Sequence, residues 1–197
     1  MFSHQVLFSV VAVILTLVGY APYLWDVLKK KTEPHVFTWF VFTIAGVIAY
    51  ALQVFGGAGV GSWSLLVACV ISFVIFLLSL RVGNKHIAFS DIFFLLLSLV
   101  ALYLWLVVKQ PILSAILATS VELLGFLPTV RKSWNSPYSE TLFMYEVCVV
   151  RFGVSVFSLE SLNILTLLYP AAWLITNVAF VAFLIARRKA VSGLKSI

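Results

Sequence analysis

Apolar runs of about twenty residues, separated by short polar turns, fill this chain almost from end to end. A water-soluble fold cannot be built from them: 63% of the 197 residues are apolar and only 10% are charged, too few to cover a hydrated surface. In a bilayer each segment must satisfy its own backbone, and these runs are too long and too evenly apolar for barrel strands. The sequence therefore predicts an all-α membrane protein of seven transmembrane helices at residues 5–28, 36–55, 62–80, 87–108, 111–130, 141–158 and 163–186. The first run reads as a retained span, because its basic residues follow the apolar stretch and do not precede it.

With seven crossings the basic residues sort to one side. Lys29, Lys30, Lys31, Arg81, Lys85, Arg131, Lys132, Arg187, Arg188, Lys189 and Lys195 all fall at the same face, Lys109 at the other, and Arg151 inside a span. The positive-inside rule then puts the amino terminus outside and the carboxyl terminus in the cytoplasm, in a plasma or inner membrane in preference to an organelle membrane. Trp25 and Trp63 fall where interfacial anchors belong. The net charge of +6 is accounted for by lipid phosphates at the inner rim, and no nucleic-acid partner is expected.

Shifting the chain by 106 residues sets Gly19, Tyr20, Ala21 and Pro22 opposite Gly125, Phe126, Leu127 and Pro128, and Phe37 and Trp39 opposite Phe143 and Tyr145. Four crossings separate the halves, so both run the same way. The expected architecture is a 3+1+3 arrangement of parallel three-helix repeats: residues 1–86, a linker helix at 87–110, and residues 111–197 ending in a cytoplasmic tail. Proline removes a helical hydrogen bond, so Pro22 and Pro128 are candidate hinges at matching depths.

This order, with a proline near the inner end of the first helix of each half, resembles the PQ-loop superfamily, which includes the SWEET sugar transporters. The resemblance spans nearly the whole chain and implies an alternating-access path between two bundles, gated at Pro22 and Pro128. The chain reads Pro22-Tyr23 and Pro128-Thr129 where that family has proline followed by glutamine. It also implies that Asn177, with Trp173 one turn away, stands where a seventh-helix asparagine touches substrate; the third helix offers Cys69 and Ser72 and no asparagine. Sugar carriers, amino acid exporters, vitamin-precursor transporters and peptide-retrieval receptors share related plans.

The charged residues at membrane depth carry the functional expectation. Glu122 and Arg151 lie near the middles of the fifth and sixth spans, and a charge there needs a partner, water or a ligand. A Glu122 to Arg151 pair is expected, with Trp173 and Asn177 completing a substrate site. Glu146, Tyr50 and Gln53 are expected in vestibules. Asp26 and Asp91 are gating candidates that could meet Lys29, Arg81 or Lys85 at the cytoplasmic ends.

Cys69 and Cys148 lie within apolar runs as small hydrophobes. Three scattered histidines make no metal site, the glycines at 56, 57, 59 and 61 lack the context of a phosphate loop, and no nucleophile, base and orienting group coincide. Neither enzyme activity nor a cofactor is expected. The expected function is alternating-access transport of a small polar solute, a sugar, amino acid or vitamin precursor, by facilitated passage; the alternative is a receptor or interaction protein holding a peptide or metabolite in its central pocket. Membrane lipids and a second copy of the chain are the expected partners.

Overall fold

The computed structural model describes residues 3–30, 34–83, 89–138, 140 and 142–194; the side chains at 90, 91, 128, 132 and 192–194 lie outside the described set. Among the described residues there are seven α-helices: α1 (His4–Leu28), α2 (Val36–Phe55), α3 (Trp63–Val82), α4 (Phe89–Leu106), α5 (Pro111–Asn135), α6 (Leu142–Ser158) and α7 (Ile164–Leu194), with a short 3-10 turn, Gly59–Ser62, leading into α3.

The expectation of seven transmembrane helices in a 3+1+3 arrangement of parallel repeats is overturned. Among the described residues, five segments are long and apolar enough to cross a membrane: His4–Leu28, Val36–Phe55, Gly59–Val82, Pro111–Asn135 and Ile164–Val191. The shortfall lies in length. Helix α6 has 17 residues, reaching about 26 Å at 1.5 Å per residue, short of the roughly 30 Å of hydrocarbon. The described apolar part of α4 is shorter still, Ile92–Leu106.

Burial is inverted relative to a water-soluble protein. Large apolar side chains face outward, among them Leu7 (61% exposed) and Ile175 (69% exposed), whereas Ser9, Ala12, Thr16, Ala45, Ala101, Ser114 and Ala118 are buried. Small residues let helices approach closely where lipid tails compete for every apolar surface, and an apolar exterior of this extent fits hydrocarbon. The chain is an integral membrane protein with several spans. Several buried hydroxyls close onto their own helices, as Thr16 does on the Ala12 carbonyl at 2.8 Å and Ser98 on the Phe94 carbonyl at 2.9 Å, and these cost little at depth.

Helix α1 packs on α3 and α6, α2 on α3 and α5, and α7 on α5 and α6, while α4 lies against α2 and α5. Ile48, Leu52, Ala101, Ala115 and Ala118 join α2, α4 and α5 in one apolar cluster, and Tyr145, Phe180 and Leu184 join α6 to α7 in another. Helices α5 and α7 run past their expected ends at 130 and 186. Their polar extensions brace each other: Arg187 Nε donates to the Trp134 carbonyl at 2.9 Å, and Arg188 donates to the carbonyls of Pro137 and Glu140 at 3.0 and 2.6 Å.

The opposite end is held by a polar latch between the loop after α2 and the loop before α7. The Val60 N–H donates to Glu160 Oε1 at 3.1 Å, Asn163 Nδ2 to the Gly56 carbonyl at 2.7 Å, and Gln53 Nε2 to the Thr166 carbonyl at 3.0 Å. Ser9 of α1 joins through the Val60 carbonyl at 2.5 Å. Gly59 adopts φ +57°, a left-handed backbone that favours glycine, and the Glu160 carboxylate folds into the space a Cβ would take.

Candidate solute cavity

Six helices, α1, α2, α3, α5, α6 and α7, enclose a cavity of about 220 Å³. Its α7 wall carries Tyr169, Trp173 and Asn177, spaced four apart and therefore on one face of the helix. Glu122 comes from α5, and Arg151 and Phe152 from α6. Cys69 and Ser72 come from α3, and Tyr20 from α1.

Glu122, 6% exposed, is the best-anchored group. Tyr169 Oη donates to its Oε2 at 2.7 Å and Trp173 Nε1 donates to the same oxygen at 3.2 Å. Room for the carboxylate comes from Gly46 on α2, where a Cβ would sit 3.3 Å from Glu122 Oε1 and 3.2 Å from Cys69 Sγ. Hydrogen bonds to a buried carboxylate offset part of its desolvation cost.

Arg151, 4% exposed, is held differently. Its guanidinium carbon lies 4.5 Å from the Phe152 ring centroid, and that ring stacks on Trp173 with 8° between the planes and 6.0 Å between centroids. The expected Glu122 to Arg151 ion pair is absent: no carboxylate oxygen among the described residues lies within 4.0 Å of Arg151. Tyr169 and Trp173 donate to Glu122, while Phe152, which stacks on Trp173, supports Arg151. Arg151 Nε is buried without a hydrogen-bond partner.

Glu122, Arg151, Trp173 and Asn177 all line this one cavity. Asn177 spends one amide hydrogen on its own helix, donating to the Trp173 carbonyl at 2.7 Å. Among the expected vestibule residues, Gln53 lines a second, much smaller cavity of about 10 Å³, shared with Arg151, Ser64, Ser155 and Tyr169. Tyr50 packs half-buried against the Ala49 and Leu65 cluster, outside the cavity. Glu146 is exposed, because five residues turn it about 140° around α6 from Arg151. Of the gating candidates, Pro22 lies within α1 with an exposed ring, and Asp26 is half-buried away from the cavity. The side chains of Pro128 and Asp91 lie outside the described residues.

Comparison with known proteins finds no matching family model, no similar curated protein and no similar solved structure. Sequence reasoning left Tyr169 and Phe152 out of the site. Tyr169 was detectable as the next residue up the face shared by Trp173 and Asn177, four positions away; Phe152 had no such signal, since its place follows from how α6 meets α7. Among the described residues no group of three or more His, Cys, Asp or Glu could hold a metal ion. Cys69 and Cys148 are free thiols on the cavity wall. Opposite charges, aromatic faces and hydroxyls in one cavity suit reversible recognition of a small polar molecule.

Proposed function

We propose that this chain is a membrane transporter for a small polar solute, which it exposes alternately to the two faces of the membrane by facilitated passage. The observation that carries this reading is the cavity holding both Glu122 and Arg151: ionisable residues at membrane depth are costly and are retained where a polar path or ligand needs them. The latch at Glu160, Gly59 and Asn163 supports it as well, being made of a few hydrogen bonds that can break and re-form as one end opens. Pro22 within α1 is a place where that helix can bend.

The test is uptake into vesicles reconstituted with the purified protein, using panels of sugars, amino acids and vitamin precursors. Saturable flux abolished by Glu122→Gln supports the proposal. Saturable binding with no flux for any bound solute assigns the chain to the receptor class instead.

A further inference from the structure

Among the described residues lining the cavity, Glu122 and Arg151 are the two that carry charge, and they do not neutralise each other by contact. Each is more than nine-tenths buried. Both donors to Glu122 converge on Oε2, while Oε1 lies beside Gly46 with no hydrogen bond from the described residues. Arg151 rests on the Phe152 face and meets no carboxylate of the described residues within 4.0 Å. A buried pair free to rotate together would normally close; here Trp173 both donates to Glu122 and stacks on Phe152, which carries Arg151. The stack acts as a spacer between a negative and a positive pole.

We propose that the cavity takes an amphoteric small solute, with an anionic oxygen group on the Arg151 guanidinium, a positively charged nitrogen on Glu122 Oε1, and its carbon skeleton against the Trp173 and Phe152 rings. The proposal rests on the reading of this cavity as a solute site. A guanidinium forms charge-assisted, often bidentate, hydrogen bonds to carboxylates, and the carboxylate does the same for an ammonium group. An uncharged polyol would leave both poles uncompensated; a solute with a single charge would leave one. The volume, about 220 Å³, equals that of about seven liquid waters, which suits an amino-acid-sized molecule.

The test uses the purified full-length protein and reads ligand-induced shifts in thermal unfolding together with titrated affinities. The probes are the twenty common amino acids and γ-aminobutyrate, the amide and N-acetyl derivatives of each probe that binds, and glucose and glycerol. The expected result is saturable binding of at least one zwitterion, weakened at least tenfold by masking either end. Arg151→Gln should erase the preference for the free acid over its amide, and Glu122→Gln the preference for the free amine over its N-acetyl form. The masked probes act on the unaltered protein, so the comparison survives if a variant does not fold. Binding of no zwitterion, or binding that is indifferent to masking, overturns the proposal. Zwitterion binding without flux into vesicles would sustain it while removing the transport reading; flux of glucose or glycerol unaffected by Arg151→Gln would do the reverse.

Discussion

Tyr169 Oη on α7 donates to Glu122 Oε2 on α5 at 2.7 Å, a bond between two buried side chains that crosses the cavity wall. Tyr169→Phe removes this donor and leaves the Trp173 donor in place. A hydrogen bond to a charged acceptor contributes about 1.5–3 kcal/mol to the folded state, so the variant should lose stability on that order and hold Glu122 less firmly for solute. Thermal unfolding measures the first change and solute titration the second.

Gly46 makes the space that Glu122 occupies. With a Cβ only 3.3 Å from Oε1 and 3.2 Å from Cys69 Sγ, Gly46→Ala should push the carboxylate off its present position while the α2 backbone stays helical. The expected signature is weakened solute binding with an unfolding temperature near that of the parent protein. Equal affinity in the two proteins would show that Oε1 does not touch solute.

At the latch, Gly59→Ala places a side chain in the left-handed region, costing about 1–2 kcal/mol, and sets its Cβ against Glu160. Glu160→Ala removes the acceptor of the Val60 N–H and should cost about 1 kcal/mol. Glu160→Gln keeps an oxygen acceptor and should be milder. Thermal unfolding in detergent ranks the three variants, and the predicted order of loss is Gly59→Ala, then Glu160→Ala, then Glu160→Gln.

Arg188 ties the end of α7 to the segment between α5 and α6 through the Pro137 and Glu140 carbonyls, and its guanidinium lies 5.0 Å from the Tyr138 ring centroid. Arg188→Ala should free that segment and raise its rate of cleavage by added protease several-fold. Arg188→Lys should recover only part of the protection, since an ammonium cannot reproduce the planar fork. Limited proteolysis of the three proteins side by side provides the reading.

Cys148 lies on the cavity wall with Cys69. In a Cys69→Ser background, a small membrane-permeant thiol reagent should label Cys148 more slowly when a bound solute fills the cavity. Mass spectrometry of the intact protein follows the labelling, and an unchanged rate at saturating solute would place the solute elsewhere.

Apolar run lengths and turn composition were enough to locate seven helices, because hydrocarbon demands closed backbone hydrogen bonding and the local pattern encodes it. They overstated the number of spans among the described residues: α6 is apolar yet has only 17 residues, and where a helix stops depends on caps and neighbours that a hydropathy profile does not contain. Glu122, Arg151, Trp173 and Asn177 stood out in the sequence because polar groups at depth are rare, and spacing alone set Trp173 and Asn177 on one face. Only the tertiary structure decided that Glu122 bonds to Tyr169 and Trp173 and not to Arg151, that Phe152 carries Arg151, and that Gly59 accommodates Glu160 from a loop about a hundred residues away. These are contacts between helices, and their geometry follows from how side chains interlock across an interface, which no periodicity along a single helix specifies.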